Sequence, residues 1–314
     1  MNISVVICTY NRCESLKRTL RSLKEMSSLE GISWELILVD NNSKDDTKAI
    51  IEEFEKMCGL NIKYVFEEEQ GLSHARNRGI REAEGEIIAF TDDDVILDRY
   101  WLPNIQRAFK DYEVSCVGGK ILPMWEISEP KWLTTELHYI LALLDRGDKP
   151  FYLESPVIWG ANFAVKSDIF KEFGVFDTNL GRIPERLFAG EETYFVRRLL
   201  YEGKKVLYYP QVLVYHCIPR ERISKRYFRK WKYDQGVLRA LLLKNSGDHK
   251  YFGIPCHPAS YLLKKAILFC KEVKNFPQDR FVYELGVVSF IGFIFQIFND
   301  TGFCPKFFKK WTYT

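Results

Sequence analysis

The sequence predicts an α/β fold: a mostly parallel sheet flanked by helices, followed by a helical C-terminal appendage. Three observations carry this. Short β-branched apolar runs alternate with helical patterns through the first hundred residues. Polar clusters close three of those runs, and the pattern beyond residue 221 is helical throughout. Alternation of this kind needs βαβ crossovers, which build parallel sheets covered on both faces.

The elements follow in order. Ile3 to Cys8 reads as a buried strand, and residues 12–28 as a helix with Leu16, Leu20 and Leu23 on one face. Trp34 to Val39 is the second strand. The next helix spans 45–57, with Ser43 as its N-cap and Asp45 and Asp46 in its first turn. A third strand (Ile62 to Phe66), a third helix (72–82) and a fourth strand (Glu86 to Phe90) complete the alternation. Residues 114–165 are less regular, with Trp125, Trp132 and Trp159 set among loops and one apolar helix near 135–144. A helix over 191–202 carries Phe195, Val196, Leu199 and Leu200 on one face, and two short strands follow at 205–209 and 212–215.

With 314 residues, 46% apolar and 15% aromatic, the chain is neither disordered nor fibrous. Its net charge of +3 is an average over unlike parts: residues 218–314 carry 18 basic and 7 acidic side chains, and the first 217 carry 27 and 35. That asymmetry reads as a mildly acidic body joined to a basic docking element. The eight cysteines form no CxxC pair and read as reduced thiols of a cytoplasmic protein. His216-Cys217 and Cys256-His257 lack the ligand spacing of a zinc site. No basic stretch followed by an apolar run opens the chain, so no signal peptide is expected.

Ligands of parallel sheets bind beyond the carboxyl ends of the strands. There the sequence places Thr9-Tyr10-Asn11-Arg12, Asp40-Asn41-Asn42-Ser43 and Thr91-Asp92-Asp93-Asp94. Three consecutive carboxylates fit either a solvated acidic turn or a hard divalent cation shared with substrate phosphate. Gly190-Glu191-Glu192 opens a helix, where carboxylates suit the dipole and can equally supply an acceptor ligand and a general base. His216 ends the last strand, in place to coordinate. No GxxxxGK[ST] loop and no GxGxxG follow a strand, which excludes Walker-type hydrolases and dinucleotide oxidoreductases. The basic loop expected after the first strand of a nucleotidyltransferase is absent as well.

The runs Val-Val-Ile-Cys-Thr-Tyr-Asn-Arg (5–12), Leu-Val-Asp-Asn-Asn-Ser (38–43), Gly-Leu-Ser-His-Ala-Arg-Asn-Arg-Gly (71–79) and Phe-Thr-Asp-Asp-Asp (90–94) resemble a family 2 glycosyltransferase. Trp-Gly-Ala-Asn (159–162), Gly-Glu-Glu-Thr (190–193) and Val-Tyr-His (214–216) continue the resemblance, in the family's order. It implies a GT-A-type, Rossmann-like fold and inverting transfer from a nucleotide diphosphate donor, a UDP-sugar above others, to a glycan or lipid-linked acceptor. By motif match, Thr9, Tyr10, Asn11, Arg12, Asp40, Asn42, Arg76, Asp92 and Asp93 surround the donor, with Asp40 on the base and Arg76 beside the diphosphate or sugar. Asp94 and His216 hold Mn2+ or Mg2+, Glu192 is the base, and Glu191 orients the acceptor together with Trp159 and Asn162. The family usually has Asp where Glu192 stands, so the choice between Glu191 and Glu192 stays open. The resemblance divides the chain into a catalytic domain over 1–220, with a nucleotide half (1–112) and an acceptor half (113–220), and a basic region over 221–314. The alternative from another class is a carbohydrate- or nucleotide-sugar-binding protein that has kept the fold but lost turnover.

Residues 218–244 interleave Arg220, Arg222, Lys225, Arg226, Arg229, Lys230, Lys232, Arg239 and Lys244 with Tyr227, Phe228, Trp231 and Tyr233. No RNA-binding motif accompanies them, so nucleic acid is not an expected partner. Cationic and aromatic side chains suit an anionic membrane surface, which places the protein at the inner face of the cell membrane. Phe281 to Phe298 is almost wholly apolar, with Gly286, Ser289, Gly292, Gln296 and Asn299 on one small, polar face. It reads as an interfacial or re-entrant helix, a core helix or a span.

Overall fold

The computed structural model describes residues 2–26, 31–58, 62–246 and 280–300. These divide into two compact units, one of residues up to 128 with 138–184 and 190–220, the other of 129–137, 185–189 and the chain from 221 onward. Segments 129–137 and 185–189, which the sequence reading assigns to the acceptor half, thus belong to the second unit.

In the first unit, β1 (Ile3–Thr9), β2 (Trp34–Asp40), β3 (Ile62–Phe66) and β4 (Ile87–Asp92) alternate with α1 (Cys13–Lys24), α2 (Thr47–Cys58) and α3 (Leu72–Glu82). These strands pair in parallel in the order β3-β2-β1-β4. The rest of the sheet is mixed. β5 (Val95–Leu97), β6 (Cys116–Trp125), β7 (Phe151–Tyr152), β8 (Asn162–Lys166) and β9 (Val206–Ile218) extend it as β4-β8-β6-β9-β5, with β7 also on β9. Among these, only β6 and β9 run parallel to each other. α4 (Trp101–Asp111), α5 (Ser167–Phe173) and α6 (Glu191–Tyr201) complete the unit.

Leu16, Leu20 and Leu23 are fully buried, as their spacing requires. The second half of the sheet is held by aromatics. Phe90 and Phe163 are cross-strand partners stacked at 4.7 Å, and Phe170, Phe176 and Phe195 pack edge-on or stacked around them.

Several local expectations change. The two strands expected at 205–209 and 212–215 are one strand, broken in register where Gly119 faces Tyr209 and Lys120 faces Leu213. Pro210, which has no N–H to give a ladder, lies in that bulge. The apolar helix near 135–144 is a 3-10 turn over Thr135–Leu141 that ends at Ala142, whose φ is +54°. α1 starts at Cys13 and stops at Lys24. Ser43 does not cap α2, because its N–H is held by Asp40 Oδ1 and its Oγ receives the Asn11 N–H. α2 begins at Thr47, with Asp45 and Asp46 before it and not in its first turn, and the Asp45 carboxyl accepts from the N–H and hydroxyl of Thr47.

In the second unit, α7 (Lys225–Ser246) packs on α8 (Arg280–Asp300). The backbones approach closely at two glycines: a Cβ on Gly236 would fall 2.8 Å from the carbonyl carbon of Ser289, and one on Gly292 3.0 Å from that of Tyr233. Small residues at a crossing are what allow helices to touch this way. Of the expected small, polar face, Ser289, Gly292 and Gln296 are buried, while Gly286 and Asn299 are exposed. Trp132 stacks edge-on against Phe228 and Phe281 in this unit, a packing role. Cys256, His257, Cys270, Cys304 and the lysines flanking the apolar helix at 271, 274, 306, 309 and 310 lie outside the described residues.

Candidate active site

Parallel register brings the polar strand ends together. Thr9 lies opposite Asp40 across β1 and β2, and Cys8 opposite Asp92 across β1 and β4. This edge is where βαβ sheets open a crevice.

The Asp92–Asp94 turn is not a solvated loop, since Asp93 and Asp94 are buried. Thr9 donates its hydroxyl to Asp93 at 2.8 Å. One guanidinium nitrogen of Arg12 bridges Asp93 at 3.0 Å and Asp94 at 2.9 Å. Burial pushes the Asp93 carboxyl up to about 6, with Arg12 opposing and Asp94 adding to the rise. Pairing of β5 with β9 sets Val95 opposite His216, so Asp94 Oδ1 stands 3.2 Å from His216 Nε2. The other ring nitrogen, Nδ1, is 2.8 Å from the Leu141 carbonyl, a contact that orients the ring and directs Nε2 at Asp94.

Asp40 is buried and accepts from the Ser43 N–H and, at 3.0 Å, from the Tyr64 hydroxyl. Burial, reinforced by Asp40, pushes the Tyr64 phenol up to about 12. Asn11 and Asn42 have φ of +50° and +66°, conformations that asparagine tolerates better than most residues. Lys44 ties the two loops, its N–H to Asn11 and its ammonium to Asn42. Tyr10 is exposed beside them.

Arg76 is 3% exposed and lies between two carboxylates, paired with Glu191 and, at 3.1 Å, with Asp92. Burial opposes its charge, but Glu191 and then Asp92 outweigh burial and raise its pKa. Glu191 also accepts from the Gly190 N–H. Glu192 Oε1 accepts from the Gly160 N–H at 3.2 Å, whereas its Oε2 is buried with no hydrogen-bond partner among the described residues. Burial first, then Glu191, push the Glu192 carboxyl up to about 8 against the pull of Arg76. The two glutamates are therefore unlike: one is bound to a guanidinium, the other is a proton-holding acid near neutrality.

Asn162 corrects an expectation. Its side chain is fully buried, takes the Trp101 indole N–H, and donates to the carbonyls of Lys120 and Val212. Those bonds span three strands and leave its amide committed to the fold, not to a sugar. Trp159 is half-buried and donates its indole N–H to Leu143 O at 3.1 Å. Trp125, also half-buried, meets the His138 ring edge-on.

Two contributors escape the sequence reading. Asn41 accepts the Gly71 N–H and donates to the carbonyls of Glu67 and Glu69, fixing the loop that leads into α3 and Arg76. Ser73 donates to Leu180 O, holding the 180s segment over α3. An Asp-Asn-Asn run signals a loop ligand, but not which asparagine turns inward.

The sequence and the fold have counterparts among known proteins. The family model Glycosyl transferase family 2 matches residues 4–174. The glucosyl-dolichyl phosphate glucuronosyltransferase of Haloferax volcanii is 27% identical over 220 residues, 69% of each chain. The succinoglycan biosynthesis protein ExoM of Rhizobium meliloti is 25% identical over 245 residues, 77% of this chain and 75% of that one. Among solved structures, the mannosyltransferase PcManGT from Pyrobaculum calidifontis, in complex with GDP-Man and Mn2+, superposes with a TM-score of 0.64. It shares 16% identity over 95% of this chain and 87% of its own, a likeness of fold.

Proposed function

The chain belongs to glycosyl transferase family 2, and from that premise we propose that it moves a sugar with inversion from a nucleotide diphosphate, a UDP-sugar above others, to a glycan or lipid-linked acceptor. It is a glycosyltransferase of the GT-A fold. The observation that supports the finer reading is the pair of unlike glutamates. Glu192 is buried, has a carboxyl pushed up to about 8, and feels the charge of Arg76, which pairs with Asp92 and Glu191. The relatives' names, one acting on glucosyl-dolichyl phosphate and one in succinoglycan biosynthesis, support the acceptor class.

In this reading Asp40 and Thr9 hold the nucleoside and Arg76 keeps a positive charge beside the diphosphate. Glu192 takes the proton from the acceptor hydroxyl while that oxygen attacks the anomeric carbon. The new C–O bond forms opposite the bond to the diphosphate, which leaves with the electron pair. Asp94 and His216 fit a hard cation, being a carboxyl oxygen and an oriented imidazole nitrogen 3.2 Å apart. Among the described residues no group of three or more His, Cys, Asp or Glu is arranged to hold a metal ion by itself, so Asp94 and His216 would share such a cation with donor oxygens and water. A bound Mn2+ or Mg2+ supplies charge neutralisation for the leaving diphosphate. The neighbour solved with GDP-Man and Mn2+ supports divalent metal use.

A transfer assay across UDP-, GDP- and dTDP-sugars tests the reading. Turnover with one donor is expected to fall at least about tenfold in EDTA and to return with Mn2+ or Mg2+. Activity undiminished by EDTA removes Asp94 and His216 as ligands, and absence of transfer with every donor and acceptor removes the enzyme.

Membrane contact belongs to the same reading. Residues Arg280–Ile297 of α8 form an 18-residue stretch of mean hydropathy 1.5, long and apolar enough to cross a membrane by length and composition. Only 44% of it is buried within the protein, and α7 exposes Lys225, Arg226, Arg229, Lys230 and Arg239. An apolar helix beside a basic one suits docking at the anionic inner face of the cell membrane. The full chain is expected to float with vesicles containing anionic lipid. Joint Arg226→Glu and Arg239→Glu substitution weakens that binding by roughly tenfold or more. A chain that ignores such vesicles has no membrane-docking tail.

A further inference from the structure

Gly160 stands between the two charged halves of the site. Its N–H donates to Glu192 Oε1, and a Cβ at its position would fall 2.7 Å from both Cζ and Nη1 of Arg76. Real Cβ atoms do not approach that closely, and the obstacle is the rigid, planar end of a buried side chain. Unlike Gly71, Gly181 and Gly190, Gly160 does not have a positive φ. Backbone conformation therefore does not demand glycine there; the atoms that a Cβ would meet first all belong to Arg76.

Arg76 cannot yield easily. Asp92 of β4 and Glu191 of α6 hold the guanidinium, and the ring of Phe163 lies 5.9 Å from its Cζ. Gly181 closes another side, where a Cβ would fall 2.6 Å from Ser73 Oγ and 3.4 Å from the Glu191 carboxyl carbon.

We infer that Gly160 is a positioning residue that couples donor-side Arg76 to Glu192: its missing side chain admits the guanidinium, its N–H fixes the carboxyl, and the seated charge tunes the base. This deepens the reading of Glu192 as base and rests on it. Among the described residues, the charges that act most on Glu192 are Glu191 on its own helix and Arg76 from α3. Asp92 lies on the far side of Arg76, and the nearby Cys8 thiol of β1 is uncharged because burial pushes it up to about 12. Arg76 is the cation that lowers the proton affinity of Glu192 most among the described residues, so its displacement raises that affinity.

The test is an infrared titration of the carboxyl band in the full chain, with Glu192→Gln subtracted to isolate that group. Gly160→Ala is expected to move the Glu192 titration upward by about half a pH unit or more, and the acid limb of kcat with it. Gly160→Ala/Arg76→Lys, with a slimmer cation beside the new methyl group, is expected to reverse at least half of both the titration shift and any loss of melting temperature. A folded Gly160→Ala chain with an unmoved titration overturns the proposal. So does a double variant as damaged as Gly160→Ala, which would mean that the methyl group does not collide with Arg76. If Gly160→Ala alone does not fold, refolding in the double variant supports the proposal. Retained turnover in Glu192→Gln would remove the base while leaving the infrared shift readable.

Discussion

Glu192→Gln lowers kcat for sugar transfer by about 10²–10⁴-fold and leaves the donor KM within about threefold. Glutamine keeps the size of the side chain and its acceptor oxygen for the Gly160 N–H, and removes only the capacity to take a proton. Because the wild-type carboxyl is pushed up to about 8, turnover rises with pH and levels off above that value. The same shift makes a stability prediction of definite sign. A carboxyl whose folded pKa lies above its unfolded value stabilises the fold fully below the unfolded pKa, near 4.5. That contribution is lost as pH rises through about 8. Glu192→Gln, which never ionises, therefore melts at least about 3 °C higher than wild type at pH 9 and close to it at pH 4. Near-wild-type turnover sinks the assignment of the base, and an equal melting difference at the two pH values sinks the account of its burial.

The second large effect is on stability. Arg76→Met destabilises the first unit by about 3–5 kcal/mol, read as a lower urea midpoint. The magnitude follows from burial: Arg76 and Glu191 are each 3% exposed in their side chains, so losing the guanidinium strands a carboxylate away from water. Arg81→Met is the control. Arg81 also pairs with a glutamate, Glu67 at 3.4 Å, but is 58% exposed, and its loss stays within about 0.5 kcal/mol. If the two variants melt alike, the Arg76 pair is not the buried link between α3 and α6 described above.

What could be read in the chain itself followed short-range rules. The leucines of α1 share a face because the helical repeat puts them there, and they are buried. Thr9, Asp40 and Asp92 could be assigned to one edge because βαβ crossovers leave little choice of strand direction. Where local pattern met long-range packing, it failed. Asn162 resembles a sugar ligand in its Gly-Ala-Asn run, yet a helix and two neighbouring strands converge on its amide. Residues 135–144 have the apolar content of a helix, but a register partnership of Leu144 with Ile121 pulls the chain out of helical conformation after Leu141. Ser43 does not cap α2 because the loop from β1 engages its hydroxyl, and Asp45 accepts the first helical N–H, that of Thr47.

The sequence by itself determined the α/β alternation, the sheet edge at which polar residues gather, and the chemical inventory of carboxylates, guanidinium and imidazole. It also determined the +11 excess of the C-terminal part, and α7 wears five of those cations on its exposed surface. Only the tertiary structure decided which of two adjacent glutamates pairs with Arg76 and which stands apart with a raised pKa. Residues 76 and 191 are 115 positions apart, and the proton affinity of a buried carboxyl depends on burial and on the charges within a few ångströms of it. Neither quantity is a property of neighbours in sequence; both exist only once the sheet has closed and water has left.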